Sequence, residues 1–578
     1  MFFKNSAVNS LSKISLAPLW GVIGAALLSL CWLLPNHTQP WTSFHSDAWA
    51  ASLWAVVACI VLCRAPSNFK WRGLPLFVAL ITTIPGFQFF SEILPFSGQA
   101  WISTAYLLGF LSALWLGEQW NAWRPTHLGN FLFLAVGIGA TLSVGLQLQQ
   151  WLGVARDGTL DVWVASSSVG ARPYANMGQA NQLATLLLWG LLACGWAQWQ
   201  RYIRSSIAIL LAMLLLFGLA LTQSRSGALG VLAVVIATWL WRGLWCEKKK
   251  IIPVVAAALA GLYVLFLLLI PLLSQELMFD APAALIDRAN GELRPKLWLL
   301  LWDAVLHHPF SGYGWNEVVR AQLLVANSHP ALGYPFFQSH NLFFDFLIWT
   351  GIPVGASISI VILTWIGTVA RRINKPSQLF YFMMILVVGI HALFELPLHY
   401  AYFLLPVGVA MGALNGGLRI WELKLPVTLG KFPIVIALGL SVGLLAAAIK
   451  DYFEIEETHL SMRLERSGIV NARGPRLPDV WILNQLMETQ RFIRFEPYVG
   501  ASAEKLKWAE DMVALVPSPR GFMKVAILFG INQRPEESKK WLQRMCRVVS
   551  REQCAAGPQK WANEKSNYPQ LKNIDWPS

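Results

Sequence analysis

Charge is what this sequence has least of. Lys, Arg, Asp and Glu together make up 13% of its 578 residues while hydrophobic residues make up 56%, which excludes a soluble globular domain. Repeated apolar runs near the ~20 residues that a helix needs to cross hydrocarbon define a polytopic membrane chain instead. The short alternating strands of a membrane barrel are missing, so the spans are expected to be helical. Also missing are a Gly-rich phosphate loop, a His-Glu-x-x-His pair, the paired Cys of a zinc site and a Gly-x-Ser-x-Gly elbow, which leaves the chemistries built on them without support. Basic residues exceed acidic ones by 45 to 31. They are dispersed between apolar runs and through the tail rather than gathered in one stripe, which speaks for membrane topology and against nucleic acid.

What is present reads in order along the chain. Lys4 and Lys13 precede a run from about Leu16 to Leu34 that is expected to be an uncleaved first helix, because many spans follow it. Further runs cover roughly Ala48 to Cys63, Leu74 to Phe90, Ala100 to Trp120, Leu128 to Leu148, Asn181 to Trp199, Ile203 to Thr222 and Ser226 to Trp241. The series closes with Ile251 to Leu273, Asn341 to Ala370, Leu379 to Leu396, Tyr400 to Leu418 and Phe432 to Ile449, about 13 spans in all. Tryptophans such as Trp20, Trp49, Trp71, Trp101, Trp120, Trp239, Trp241 and Trp245 fall near run ends, where an amphipathic ring suits the interface.

Basic loops alternate with poor ones: Arg64 to Arg72, Arg124, Arg201 with Arg204, Arg242 to Lys250, Arg371 to Lys375, and Arg419 to Lys431. The positive-inside rule puts these and the N-terminus in the cytoplasm. An odd span number then puts three polar segments and the tail from Lys450 outside: Gln149 to Ala180, the turn Ser224-Arg225-Ser226, and the loop Ser274 to His340. The first external loop offers only Asp47 as an acid, too little for a metal held by carboxylates, so no metal is expected. Cys31, Cys59, Cys63, Cys194 and Cys246 lie in or beside spans. Cys546 and Cys554 alone lie in the tail, where an oxidising compartment would permit a bridge. In that tail, Leu506 to Met512 and Lys539 to Met545 repeat Trp and Met at one offset, near the period of a tetratricopeptide unit, with an ordinary helical bundle as the alternative.

Cations in the outward segments are the first candidates for chemistry, since topology disfavours them there. Arg225 sits in a hairpin that runs at once into a helix, so backbone donors and a guanidinium converge as an anion requires; a snorkelling arginine is the alternative. Arg288, Arg294 and Lys296 precede Leu297 to Leu306, an apolar helix too short to span and expected to lie along the membrane surface. His340 stands where the long loop meets a span, in Gln338-Ser339-His340-Asn341, either as a proton acceptor or as a solvated helix cap. Gln179, Asn181 and Gln182 supply amides at the outer end of a helix, suited to sugar hydroxyls or a diphosphate, or simply to capping. Glu395, His399, Tyr400 and Tyr402 add an acid, an imidazole and two phenols in a bend set by Pro397, at a depth where ionisable groups are costly.

Four stretches together carry a resemblance: Gly178-Gln179-Ala180-Asn181-Gln182; Ser224-Arg225-Ser226-Gly227; Arg294 with His308-Pro309-Phe310-Ser311-Gly312-Tyr313-Gly314; and Ser339-His340-Asn341 ahead of Thr350-Gly351-Ile352-Pro353. They resemble the O-antigen ligase and polymerase superfamily of inner-membrane glycosyltransferases. Glu395 to Tyr400 and the exported tail look more like its PglL-type protein O-oligosaccharyltransferases. The likeness runs from about Val169 to the tail, and the first five spans add only topology. It implies an all-α polytopic membrane protein of the ligase-type GT-C architecture, with a transmembrane domain over 1–449, a periplasmic catalytic loop near 274–340 and a helical periplasmic domain over 450–578.

The resemblance also implies transfer of a preassembled oligosaccharide from undecaprenyl diphosphate to Ser or Thr of exported proteins such as pilins, in a Gram-negative inner membrane, without metal, nucleotide sugar or other cofactor. By the same likeness His340 matches the essential histidine, and Arg225 and Arg294 the diphosphate-binding arginines. Arg172 and Arg288 are weaker matches. Gln179 and Gln182 fit the amide loop, and Tyr400 or Tyr402 the late tyrosine. Ligation to lipid A core, polymerisation onto another lipid-linked glycan, and transport of lipid-linked glycans are the alternatives; internal repeats expected of a transporter are not found.

Overall fold

A computed structural model describes residues 17–65, 72–154, 162–166, 170–245, 252–276, 293–423, 432–469 and 477–577. Arg288, Cys246 and the cytoplasm-assigned Lys248 to Lys250 lie outside the described residues.

The described chain is helical in the pattern that the apolar runs predict. Helices α1 (Ala17–Ser29), α2 (Phe44–Arg64), α3 (Gly73–Ile81), α4 (Ile84–Phe90), α5 (Ser97–Trp123), α6 (Pro125–Trp151), α7 (Ala180–Trp199), α8 (Ser205–Leu221), α9 (Arg225–Leu240) and α10 (Ile252–Glu276) precede the long loop. The loop contributes α11 (Arg294–His307) and α12 (Val318–Val325). After it come α13 (Leu342–Arg372), α14 (Pro376–Ala392), α15 (Ala401–Gly417) and α16 (Phe432–Arg466). Among the described residues eight helices are long and apolar enough to cross a membrane, counting α3 and α4 as one. The other expected spans coincide with the shorter apolar helices at α1, α8, α9, α14 and α15. The chain is thus a multi-pass membrane protein.

Without a hydrophobic drive between helices in lipid, close approach needs small residues. The tightest pair, α5 and α15, uses glycine for this: a Cβ on Gly117 would fall 1.9 Å from the Val409 carbonyl oxygen, and one on Gly412 would fall 1.8 Å from that of Leu114. This fixes the bundle centre against which α2, α14 and α16 pack.

Three departures from the expected spans matter for function. Helix α13 breaks at Gly351 (φ 77°), just before Pro353, where the run had read as continuous. The turn after α11 docks into that break: Tyr313 N–H donates to the Ile348 carbonyl at 2.8 Å, Gly314 N–H to that of Trp349 at 3.2 Å, and Ile352 N–H to that of Pro309 at 2.7 Å. Backbone groups freed at membrane depth are satisfied by protein, as hydrocarbon demands. Next, α14 ends at Ala392, so Glu395 lies in the turn beyond the helix rather than inside the expected run. Last, α16 continues to Arg466, well past Ile449, and carries the chain into the tail as one rod.

The tail holds α17 (Asn484–Arg494), α18 (Ala503–Leu515), α19 (Pro519–Ile531), α20 (Pro535–Val548), α21 (Arg551–Ala555) and α22 (Gly557–Asn567). Cys546 and Cys554 are bridged. Val319, Leu323 and Ala326, at α12 and just after it, are buried in the same core as Phe522, Trp541 and Val548 of the tail. Arg320 pairs with Asp511 of α18 at 2.8 Å. The long loop and the tail therefore share one core.

Candidate active site

Helix starts gather at one end of the bundle. Gln179 is the N-cap of α7, with Asn181 and Gln182 in its first turn. Arg225 opens α9 behind an N-cap Ser224 whose hydroxyl accepts from Gly227 N–H, and Arg294 opens α11 with Pro295 beside it. Arg172, Arg225 and Arg294, far apart in sequence, line one cavity of about 350 Å³ together with Asn181, Trp298 and Glu395. Guanidinium forks and helix N-termini both favour phosphate oxygens, so the arrangement can hold an anion of diphosphate size.

Glu395 is the hub of this cavity. Its carboxylate accepts from Gln179 Nε2 at 2.7 Å and from the Asn181 amide, and lies 3.6 Å from Arg294 Nη2. His391 Nε2 is 3.2 Å from the same carboxylate, while His391 Nδ1 meets Thr185 Oγ1 at 2.8 Å. Burial pushes the Glu395 carboxyl up, but His391, Asn181 and Arg294 together outweigh it and hold the group below the usual carboxylate range. A chain of contacts continues from there: Gln182 Nε2 donates to Gln179 Oε1 at 3.2 Å, and Tyr402 hydroxyl to Gln182 Oε1 at 2.8 Å. Tyr400 stacks on Tyr402 with ring centres 5.2 Å apart. Arg172 joins from the other side, with Nη1 3.2 Å from Asn181 Oδ1.

The cavity adjoins an apolar groove of about 900 Å³ between α11 and α13, with Pro295 and Trp298 common to both and Trp302, Phe344 and Ile360 further along it. Leu299, Trp302 and Leu306 of α11 are exposed while Leu297, Leu300 and Leu301 are buried in the protein, the division expected of a helix lying along a membrane surface.

His340 lies beside this junction and is not among the residues that line the arginine cavity. It is half-buried with φ 60°, in the left-handed region that non-glycine residues adopt only when held. Both neighbours are anchored. Trp298 Nε1 donates to the Ser339 carbonyl at 2.8 Å and Ser339 N–H to Asp345 Oδ1 at 2.8 Å. Asn341 Nδ2 donates to the Leu393 carbonyl at 3.3 Å, two residues from Glu395, while its Oδ1 caps α13.

Not every candidate comes to the site. His399 packs on Trp349 at 5.5 Å between ring centres, and burial pushes its imidazole down to about 4, so it offers no cation near neutrality. Asp47 accepts from Ser43 hydroxyl and from Ala401 N–H, fixing the start of α15. Among the described residues no group of three or more His, Cys, Asp or Glu could hold a metal ion. Sequence reasoning passed over Trp298 and His391. His391 stands four residues before Glu395, a helix spacing that could have shown the pair, but it was absorbed into an apolar run.

Comparison with known proteins covers the same residues. Three family descriptions match: "protein glycosylation ligase" over 173–196, "O-antigen ligase" over 208–359 and "virulence factor membrane-bound polymerase, C-terminal" over 379–556. A general O-oligosaccharyltransferase of Acinetobacter baylyi is 27% identical over 542 residues, 91% of this chain and 92% of the relative. A ComP-specific O-oligosaccharyltransferase of the same organism is 28% identical over 408 residues, 68% of this chain and 70% of the relative. The chain is a glycosyltransferase, similar in sequence to the O-antigen ligase family. Within that family its likeness is to protein glycosylation ligases and O-oligosaccharyltransferases.

Proposed function

We propose that the chain transfers a preassembled oligosaccharide from undecaprenyl diphosphate to Ser or Thr hydroxyls of exported proteins, on the periplasmic face of a Gram-negative inner membrane. One observation carries the reading: a cavity lined by three arginines shares Pro295 and Trp298 with an apolar groove beside His340. A diphosphate with a long hydrocarbon on one side fits that pair of environments, and a soluble nucleotide sugar does not.

In this reading the diphosphate lies among Arg172, Arg225 and Arg294, with the polyprenyl chain along α11 and α13. The glycan faces the Gln179, Gln182 and Tyr402 chain. The acceptor oxygen bonds to the anomeric carbon while the carbon–oxygen bond to phosphate breaks, leaving both electrons on the phosphate oxygen. His340 takes the hydroxyl proton and later gives it to water, a role worth roughly 100-fold to 10,000-fold in rate. The leaving diphosphate needs no proton. Its growing charge meets fixed guanidiniums in a water-poor site. A single displacement inverts the anomeric configuration, and no step calls for a metal.

The test mixes purified protein, undecaprenyl-diphosphate glycan and candidate acceptors, with chelator present, and asks which acceptor gains the mass of the glycan. Mass gained by an exported protein supports the reading. Mass gained only by lipid A core or by another lipid-linked glycan replaces it with ligation or polymerisation, and the family match over 379–556 makes the polymerase arm worth including.

A further inference from the structure

We propose that Glu395 is the built-in counter-ion of the arginine cavity and sets it to prefer the glycan-bearing donor over the spent diphosphate. The inference rests on the donor site proposed above and goes beyond it, since a carboxylate aimed at arginines hinders anion binding as such.

Glu395 is the one acid among the described residues that line the cavity. Its side chain is 10% exposed and lies 3.6 Å from Arg294 Nη2. Gln179 and Asn181 hold it from one side and His391 from another, and Thr185 locks the far nitrogen of His391. A carboxylate held by three side chains cannot swing away when an anion arrives. Arg172, Arg225 and Arg294 bring three positive charges and Glu395 cancels one.

The chemistry of the two ligands differs by a similar amount. In the donor the diphosphate is esterified at both ends and carries two negative charges. Once the bond to the sugar breaks, its terminal phosphate has a second ionisation near ~6 and gains up to one more. Without Glu395 the cavity would hold the product more tightly than the substrate. With it, the new charge appears beside a fixed carboxylate in a poorly screened site and is repelled. Glu395 is thus a release element, and the same repulsion slightly opposes the bond-breaking step.

Full-length protein in nanodiscs is titrated with undecaprenyl diphosphate and, separately, with its glycan-bearing form. Glu395→Gln is expected to tighten the bare diphosphate roughly tenfold and the glycan form only about twofold to threefold. Steady-state turnover should fall while single-turnover transfer stays at least as fast as wild type. Glu395→Asp should keep the wild-type preference. An unchanged preference in the Gln variant, a loss of affinity for both lipids, or a slower single turnover overturns the proposal while the donor site stands. Wild-type protein that binds neither lipid overturns the donor site itself. Should the Gln variant not fold, Asn181→Asp adds a second carboxylate at the same place. It must weaken the bare diphosphate more than the glycan form, and the absence or reversal of that shift overturns the proposal.

Discussion

Replacing Trp298 with Phe separates the two jobs that the structure gives this residue. Its ring forms the wall shared by the arginine cavity and the apolar groove, and its Nε1 donates at 2.8 Å to the carbonyl of fully buried Ser339, the residue before His340. Phenylalanine keeps most of the wall and deletes the donor. A buried carbonyl left without its partner costs about 1–3 kcal/mol, and part of that is recovered by relaxation of the loop. If about 1.4 kcal/mol reaches the placement of His340, the rate falls about tenfold. Donor affinity should change by less than about threefold, because the guanidiniums are untouched and most apolar contact remains. The assay measures acceptor mass gain at saturating donor and, separately, donor binding by calorimetry. Trp298→Ala serves as the contrast, since it removes the wall and should weaken the donor as well. Wild-type turnover in the Phe variant, or a loss of donor affinity as large as the loss of rate, would refute the link between Trp298 and His340.

Arg225→Ala and Arg294→Ala should each abolish transfer in protein that still folds and inserts, with Lys rescuing only in part because a point charge does not reproduce a fork; full activity of either Ala variant removes that residue from the mechanism. His340→Ala should cut turnover far more than donor affinity. Equal losses in both would mark His340 as a donor-holding group instead. Opening the bridge that spans a sequence separation of 8 between Cys546 and Cys554 should cost the tail about 2.5 kcal/mol by loop entropy, read as easier proteolysis in urea, and unchanged protection would contradict it. Reporter fusions should place Lys249 in the cytoplasm and Trp508 in the periplasm; a cytoplasmic Trp508 would reverse the assigned orientation.

Apolar runs read well because each helix in lipid needs length and hydrophobicity of its own, a local property. Pairings read poorly because they are not local. Nothing near Arg172 announces Arg225 or Arg294, and only the resemblance joined the last two before the cavity did. The break in α13 was written in Thr350-Gly351-Ile352-Pro353, yet an average over hydropathy smooths a single glycine away. The bend at Pro397 was legible, but the expected span ran on through Glu395 to Leu396, although the helix ends at Ala392. The tail's core could not be anticipated from the tail alone, since Val319 and Leu323 of the loop complete it.

The placement of the site follows from the direction of the helices. Helices α7, α9 and α11 all begin where Glu395 and the arginines meet, and α14 ends just before Glu395. Each start brings the positive end of a dipole, which helps to offset the cost of taking an anion out of water. At the opposite ends of α5, α7 and α15, and at the start of α14, a second polar cavity is lined by Arg72, Gln200 and Lys375. Arg72 and Lys375, from two of the basic loops, therefore lie at one end of the bundle. What the charge bias alone supplies is the absolute direction. With the basic loops in the cytoplasm, as the positive-inside rule expects, the arginine cavity faces the other side, where the proposed lipid-linked donor and exported hydroxyl would meet.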